Sequence, residues 1–225
     1  ALEFSNQNAK IFLSSRKKED LERVKSACKN PSNVKIAVLD LEKHNNLRPK
    51  VDEALGCFGT IDLLVNNGGI SQRSLVKDTQ IEVDKRIMDI NYLGTVALSK
   101  AILPHFIKNK AGHFVVTTSI VGKIGTPLRS SYDASKHALH GFFDSLRAEH
   151  YKDNIAVTLV CTGFVNTNVS KNALTGNGTP QQKMDVATAN GMDPRHFAKL
   201  MAKAIKRKKE EVYIAGAKEK LGIYT

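Results

Sequence analysis

Apolar runs alternate with amphipathic stretches along the whole chain, and this order constrains the fold more than any other feature. Six short apolar runs predict strands: Ala9–Ser15, Val34–Leu41, Ile61–Asn66, His113–Ser119, Ile155–Cys161 and Val212–Ala215. They lack strict polar alternation, as expected for parallel strands covered on both faces. Stretches with helical periodicity lie between them: Lys18–Lys29, Asn45–Phe58, Gln80–Lys108, Tyr132–Lys152 and Pro194–Lys206. The β-α-β-α order predicts a doubly wound parallel sheet in a three-layer α/β/α fold.

The chain of 225 residues is predicted to form one domain, residues 1–225, because no linker or internal repeat divides it. One loose segment, residues 168–193, contains the turn-forming sequence Gly-Asn-Gly-Thr-Pro at 176–180. A long loop within a compact domain is usually functional, so this segment is predicted to be a lid over a substrate.

The net charge of +12 admits two interpretations. A nucleic-acid or anionic-membrane partner would use such a charge, but no nucleic-acid motif accompanies the lysines, so a solvated basic surface without a nucleic-acid partner is favoured. No apolar run reaches the roughly 18 residues of a membrane span. Three widely spaced cysteines give no disulfide framework, which favours a reducing compartment such as the cytoplasm. Peripheral or anchored membrane association through further terminal sequence stays open.

The chain begins as if partway through a βαβ unit. Ala1–Phe4 has the composition of a helix end, Ser5–Asn8 that of a turn, and Ala9–Leu13 that of a strand. A parallel sheet of this kind starts with a strand, a glycine-rich turn and a helix, and the first two are absent from this sequence. The natural protein is therefore expected to be about 15–25 residues longer at the front, with the extra strand beside Ala9–Leu13 and Ile61–Val65. Leu221–Thr225 is a second place where the sequence could continue.

Three polar residues on neighbouring predicted elements point to an active site. Tyr132 and Lys136 are four residues apart on a helix and share one face, at the border of an apolar stripe. Ser119 ends a buried strand 13 residues before Tyr132, and active-site groups of open α/β sheets lie at the carboxyl ends of strands. Each residue alone has a structural explanation: a serine that caps a turn, a packed tyrosine, a solvated lysine. The combination at this spacing is what indicates catalysis.

Two further features belong to the same predicted site. The strand Ile61–Val65 ends in Asn66-Asn67-Gly68-Gly69, and two glycines at a strand end let a ligand approach the backbone. Asn91 lies on an apolar helical stripe, where an amide must find hydrogen-bond partners or cost about 1–3 kcal/mol. Without the other residues, Asn91 is equally compatible with helix packing.

Together these residues resemble the motifs of the classical short-chain dehydrogenase/reductases, over essentially the whole chain. The matching residues, in the family's order, are Asp40, Asn66-Asn67-Gly68-Gly69, Asn91, Ser119, Tyr132, Lys136 and the segment Thr162-Gly163-x-Val165-x-Thr167. The stretch from Thr167 to Met184 resembles the branch near the 11β-hydroxysteroid dehydrogenases and their microsomal and bacterial relatives. The resemblance implies a Rossmann-type fold.

The resemblance also implies a role for each catalytic residue. Tyr132 would be the general acid in reduction and the general base in oxidation, with its pKa lowered by Lys136 and the positive nicotinamide ring. Ser119 and Tyr132 would hydrogen-bond the substrate oxygen. Lys136 would bind the nicotinamide ribose, and Asn91 would hold a water that relays protons to it. The hydride would come from the cofactor.

The cofactor residues implied by the resemblance come from several strand ends. They are Ser15, Arg16, Asp40, Leu41, Asn67, Gly68, Tyr132, Lys136, Val165 and Thr167. No acid follows the Ala9–Ser15 strand before Glu19, and Arg16 would suit the 2′-phosphate of NADP, so NADP(H) is predicted and NAD(H) is less favoured. The alternative for Arg16 is a surface residue ahead of a helix.

The sequence therefore predicts an NADP-dependent oxidoreductase that interconverts a carbonyl and a secondary alcohol of a small molecule. Five apolar residues would form the rim of the site and favour an apolar substrate: Ile120, Val121, Ile124, Pro127 and Leu128. The alternative is a non-catalytic Rossmann-fold protein that binds only a nucleotide or a partner. No metal site is predicted, because His137 and His140 have no evident third ligand. By resemblance, a homodimer or homotetramer would form through one face of the catalytic helix: Ala138, Phe142, Ser145 and Glu149.

Overall fold

Six parallel strands form the middle of the fold in the computed structural model, which describes residues 1–221 except for the side chain of Lys218. The strands are β1 (Ile11–Ser15), β2 (Val34–Val38), β3 (Leu63–Asn66), β4 (Gly112–Thr117), β5 (Ile155–Thr162) and β6 (Glu211–Ile214). Each overlaps an apolar run that the sequence predicts as a strand, and the α/β fold class is confirmed. The end of the segment considered for a C-terminal extension, residues 222–225, lies outside the described range.

The helices alternate with the strands as predicted. They are α1 (Leu2–Asn6), α2 (Lys18–Ser26), α3 (Leu47–Phe58), α4 (Ile81–Met88), α5 (Gly94–Asn109), α6 (Ser130–Glu149), α7 (Val186–Ala189), α8 (Pro194–Lys206) and α9 (Ala217–Leu221). The start of α8 follows from its sequence, because the Asp193 carboxylate accepts hydrogen bonds from the backbone N–H groups of Arg195 and His196, and Pro194 occupies the first helical position. None of the helices in the described range is long and apolar enough to cross a membrane.

The predicted single helix Gln80–Lys108 is instead interrupted. A π-helical turn, Asp89–Leu93, separates α4 from α5 and carries the buried Asn91. Just after it, Gly94 packs against the loop that follows β2: a Cβ on Gly94 would lie 2.4 Å from the carbonyl oxygen of Leu41. The apolar periodicity could not show this interruption, because residues on both sides of the π turn face the same core. Such turns are frequent at functional sites.

The central sheet is divided into two parts, β1-β2 and β3-β4-β5-β6. Within each part the neighbouring strands are parallel, for example β3 with Leu63 opposite His113 of β4. In the described residues, β1 and β3 do not pair with each other, whereas the sequence predicts one sheet with a further strand between them. That further strand stays an expectation.

The hydrophobic core lies on both faces of the four-stranded part. On one face, Phe114 and Val116 of β4 pack against a cluster from α5 and α6 that includes Phe106, Leu139 and Phe143. On the other face a second cluster contains Val115, Val160, Phe197, Met201, Ile205 and Ile214. This two-sided burial explains why β4 is a continuous apolar run, and it fixes the carboxyl ends of β3, β4 and β5 side by side.

Candidate active site

Ser119 lies just beyond the carboxyl end of β4, as the sequence predicts. Its Oγ donates to the carbonyl oxygen of Thr162 at 3.3 Å and accepts from the N–H of Val121 at 3.4 Å. The second contact caps the 3-10 turn Ile120–Gly122. The serine thus has the capping role considered for it, and it also connects β4 to the end of β5.

Tyr132 and Lys136 lie on one face of α6, where their spacing of four residues places them. The Lys136 ammonium nitrogen is 5.6 Å from the centre of the Tyr132 ring and donates to the carbonyl oxygen of Thr117 at 2.9 Å. Lys136 is 5% exposed, and this burial lowers its pKa from 10.5 to about 8. The lysine is therefore shielded from solvent and has no carboxylate partner among the described residues, and its proton is held less tightly than that of a surface lysine.

The pKa of Tyr132 is raised, which is the opposite of the lowering expected from the resemblance. Burial is the largest cause, because it disfavours the phenolate. Hydrogen bonding to Ser119 and the positive charges of Arg73 and Arg129 act in the other direction and favour the phenolate. The two arginines are thus charges of the chain that favour an ionised Tyr132.

Asn91 is fully buried beside these residues and has its hydrogen bonds satisfied by the protein. Its Oδ1 accepts from the N–H of Ile70 at 2.8 Å, and its Nδ2 donates to the carbonyl oxygen of Ile70 at 2.9 Å and to Oγ of Ser135 at 3.0 Å. The amide therefore ties the loop after β3 to α6. Both of its N–H groups are used in these contacts, and the expected role in holding a water stays a prediction.

The loop after β3 is exposed and comes close to the catalytic side chains. Asn67 accepts a hydrogen bond from the Thr117 hydroxyl at 2.7 Å. A Cβ on Gly69 would lie 3.1 Å from Oδ1 of Asn91 and 3.7 Å from the nitrogen of Lys136, and one on Gly68 would meet the Leu41 side chain at 2.6 Å. The absence of side chains keeps a space open between this loop and Lys136.

The residues predicted for the adenosine half of the cofactor are more exposed. Ser15 ends β1, and its hydroxyl is hydrogen-bonded to the backbone carbonyl and N–H of Lys17. Arg16 is exposed. Asp40 follows β2, accepts from the N–H of Glu42 at 3.1 Å, and lines a cleft of about 370 Å³ beside α3. Leu41 lies against Gly68 of the loop after β3 and against Gly94 of α5, so the ends of β2 and β3 meet.

Val165 and Thr167 follow β5, on the strand end next to Ser119. Val165 is partly buried and pairs with Met192. This pairing joins the two ends of the segment between β5 and α8. Thr167 is exposed, and its hydroxyl accepts a long contact of 3.5 Å from the N–H of Val169. The structure therefore brings the predicted cofactor residues to the carboxyl ends of β1, β2, β3 and β5.

Sequence reasoning missed a group of charges on the other side of Tyr132. Arg73 donates to the Asp185 carboxylate at 2.6 and 2.8 Å and to the Ser71 hydroxyl at 2.8 Å, and Arg129 lies 3.8 Å from the same carboxylate. Arg73 and Asp185 are 112 residues apart, so no local pattern could join them. Only the position of Arg129, three residues before Tyr132, offered a signal.

The segment 168–193 is attached to the body by these charges and by backbone contacts. Leu174 pairs with Gln72, with its N–H donating to Ser71 and its carbonyl accepting from Arg73, each at 2.8 Å. Gly176 accepts from the N–H of Gln80 at 2.9 Å, and a Cβ there would lie 2.1 Å from the carbonyl oxygen of Asp78. This glycine is needed for close approach, and the segment is held against residues 71–80, which include Arg73.

Comparisons with known proteins support the family resemblance found in the sequence. Residues 1–178 match the family model described as short chain dehydrogenase. The chain is 47% identical over 212 residues to the Dehydrogenase/reductase SDR family protein 7-like of Anopheles gambiae, which covers 92% of this chain and 67% of the relative's length. One third of that relative therefore has no counterpart in this sequence.

Two solved structures have the same fold. A short-chain dehydrogenase/reductase from Burkholderia phymatum in complex with NAD superposes with a TM-score of 0.80 at 20% identity, over 91% of this chain and 79% of that one. ElxO with NADP bound gives a TM-score of 0.70 at 28% identity, over 73% and 67% of the two chains. The Rossmann-type fold and the family are confirmed, while the finer placement near the 11β-hydroxysteroid dehydrogenases stays a prediction. This chain belongs to the short-chain dehydrogenase family.

Proposed function

We propose that this protein is an NADP(H)-dependent oxidoreductase that interconverts a carbonyl and a secondary alcohol of an apolar small molecule. The observation that carries the proposal is the convergence of Ser119, Tyr132, Lys136 and Asn91 at one strand end. Each is held by its own packing and hydrogen bonds, as a site must be if proton transfer is to be accurately positioned. The apolar residue Ile120 directly follows Ser119 in the chain.

The space beside the catalytic side chains fits a nicotinamide cofactor. The missing side chain of Gly69 leaves room next to Lys136, and Asn67 and Gly68 precede it in the same exposed loop. In the proposal, Lys136 and Tyr132 hold the nicotinamide ribose, and Val165 and Thr167 the carboxamide side. When bound, the cofactor supplies or accepts the hydride.

In this mechanism, Tyr132 supplies the proton that the substrate oxygen receives during reduction. During reduction, the Tyr132 hydroxyl donates its proton to the substrate oxygen, while the Ser119 hydroxyl hydrogen-bonds that oxygen and holds it in place. The phenolate that remains is favoured by Arg73 and Arg129, whose charges oppose the effect of burial on the pKa of Tyr132. Lys136, with its pKa near 8, is suited to pass a proton towards the site near neutral pH.

The preference for NADP rests on Arg16. An exposed guanidinium at the end of β1 can approach a 2′-phosphate, and no acid lies between it and the start of α2 to repel that group. The NADP bound to ElxO is consistent with this preference, and the NAD bound to the Burkholderia protein is a reminder that the fold accepts either cofactor.

The rival is a protein that binds a nucleotide without catalysis. A titration of the purified full-length protein with NADPH and with NADH, followed by intrinsic cofactor fluorescence, measures binding. Consumption of NADPH with a panel of apolar ketones and aldehydes then measures turnover. We expect tighter binding of NADPH and turnover with at least one ketone; binding without turnover on any substrate would favour the rival.

We also propose that residues 168–193 act as the substrate lid, within a single domain. The Arg73–Asp185 ion pair would be its closing contact, because it joins the segment to the loop after β3. Amide hydrogen exchange tests this idea: without ligand, most of residues 168–193 should exchange faster than Val115 and Val116 of β4. Exchange as slow as in β4 would show a fixed wall instead of a lid.

A further inference from the structure

One helical turn beyond Lys136 on α6, three side chains with metal-binding atoms converge from three elements. His140 lies one turn after Lys136 on α6, Cys161 lies near the end of β5, and Glu211 begins β6. One ligand atom from each lies within 4.8 Å of the others. The separation is 3.8 Å between His140 Nε2 and Cys161 Sγ, and 3.4 Å between His140 Nδ1 and Oε2 of Glu211. Because one ion can bind only one of the two ring nitrogens, the distance that bears on a shared ion is the 4.8 Å limit between one atom of each residue.

The imidazole of His140 is the least satisfied part of this cluster. Its side chain is 8% exposed, yet Nδ1 has no hydrogen-bond partner within the described residues and faces the Glu211 carboxylate. A buried polar atom without a partner is unfavourable and calls for an explanation. Gly122 leaves room for the ring, because a Cβ there would lie only 3.2 Å from Nε2 of His140.

The three donors are the ones that zinc uses in proteins, namely an imidazole nitrogen, a thiolate sulfur and a carboxylate oxygen. Burial lowers the pKa of His140 to about 4, so its ring is neutral at physiological pH. The Cys161 thiol proton leaves to solvent as the metal–sulfur bond forms. With one thiolate and one carboxylate, a bound Zn²⁺ would be charge-neutral with its ligands.

We propose that His140, Cys161 and Glu211 form a binding site for a thiophilic divalent cation such as Zn²⁺. The site opens to solvent at Glu211 and Lys123, each with a side chain 29% exposed, and this side gives the ion its entry and a water its fourth coordination position. The Lys123 ammonium nitrogen is 2.8 Å from Oε2 of Glu211, so it must leave the carboxylate when the cation binds. The Tyr213 hydroxyl donates to the other carboxylate oxygen and orients it.

Cobalt provides a direct test, because a Co²⁺–thiolate bond produces a charge-transfer absorption that nitrogen and oxygen ligands do not. The tag-free full-length protein, with its cysteines kept reduced, is titrated with Co²⁺ and the ion is then displaced by Zn²⁺. We expect one equivalent per chain with the thiolate band. Cys161→Ser should abolish the band and weaken Zn²⁺ binding more than about 100-fold, and the exposed Cys57→Ser should change neither.

Lys123 gives the sharpest discrimination, since it is not a ligand and its removal should improve binding. Lys123→Met removes the competing charge and should tighten Zn²⁺ binding at least about tenfold. His140→Gln should weaken binding even where Cys161→Ser folds poorly, with the near-UV circular dichroism of each variant confirming its fold. Three results would each overturn the site: no thiolate band in the wild type, a band lost in Cys57→Ser, or Zn²⁺ affinity unchanged by Lys123→Met. The readout is independent of turnover, so the outcome does not depend on the oxidoreductase activity.

Discussion

The strand ends of β4 and β1 hold their functional side chains very differently. Beyond β4, Ser119 and Lys136 are buried and hydrogen-bonded to the backbone of neighbouring strands. Beyond β1, Arg16 is exposed, and within residues 1–221 its guanidinium makes no hydrogen bond or ion pair. The residues proposed to be catalytic are thus positioned before any ligand binds, whereas the residue proposed to select the cofactor has no contacts that fix it.

This difference has a physical basis. Proton transfer needs groups fixed to within a fraction of an ångström, and burial supplies both the positioning and the shifted pKa values. Recognition of a phosphate needs mainly a charge that can reach it, which an exposed and mobile arginine provides at low cost. Substitutions in the two regions should therefore affect different properties of the protein: turnover and stability beyond β4, and cofactor selection beyond β1. The largest expected effect comes first.

Removing the Tyr132 hydroxyl should give the largest effect. Tyr132→Phe is expected to lower carbonyl reduction by about 100- to 10,000-fold, because positioned proton transfer is lost, while NADPH binding changes little. Tyr151→Phe is the matched control, since Tyr151 is 81% exposed and far from the site in sequence. Rates and NADPH fluorescence titrations of both variants decide the matter. A Tyr132→Phe enzyme with most of its turnover would remove Tyr132 from the role of acid.

A substitution of Asn91 tests whether hydrogen bonds within the protein make the region around Ser119 and Lys136 rigid. Asn91→Ala should lower the free energy of unfolding by about 2–4 kcal/mol, because it leaves a cavity and strips the Ile70 backbone of both partners. Asn45→Ala, at an exposed position in the loop after β2, should change it by less than about 0.5 kcal/mol. Urea denaturation measures both values. Equal effects would mean that the two regions do not differ in rigidity.

The arrangement of the residues proposed to be catalytic could be predicted because its geometry is local. Tyr132 and Lys136 are joined by one turn of helix, and Ser119 by a strand end, so spacing alone places them. The predicted α8 range, Pro194–Lys206, is likewise the observed one, because its capping residues are explicit in the sequence.

Other features could not be predicted, because they depend on contacts between distant segments. The Arg73–Asp185 pair joins residues separated by 112 positions. The sequence around each of them has the composition of an ordinary surface loop. The raised pKa of Tyr132 arises from burial, which spacing does not reveal. The same is true of His140, whose metal-binding neighbours Cys161 and Glu211 come from strands 21 and 71 residues further along the chain.

Arg16 tests the exposed side of the comparison. Arg16→Asp should weaken NADPH binding by about 10- to 100-fold while changing NADH binding much less, since it replaces an attraction for the 2′-phosphate with repulsion. Lys10→Asp makes the same charge reversal at the amino end of β1, where it should affect neither cofactor selectively. The ratio of the two dissociation constants is the measured quantity. An unchanged ratio in Arg16→Asp would place the 2′-phosphate elsewhere.

The smallest expected effect is on the pH dependence of stability, and it comes from the four-stranded part of the sheet. His113 of β4 is buried, shares a hydrogen bond of 2.8 Å with the Thr158 hydroxyl of β5, and has its pKa lowered from 6.5 to about 4 by burial and then by Lys208. The folded state therefore resists protonation more than the unfolded state does. This contribution to stability is complete above pH 6.5 and is lost as the pH falls towards 4. After allowance for solvent screening, it amounts to about 1–2 kcal/mol.

His113→Gln should accordingly reduce the difference between the free energies of unfolding at pH 7 and pH 4.5 by about 1–2 kcal/mol. The difference should not vanish, because the pKa of His140 is lowered in the same direction by its own burial. His196→Gln provides the control, since His196 is exposed at the start of α8. Urea denaturation at the two pH values measures the change. If His113→Gln and His196→Gln have the same pH dependence, buried β4 contributes no more to acid sensitivity than the exposed surface does, and the contrast between the two regions is limited to the catalytic residues.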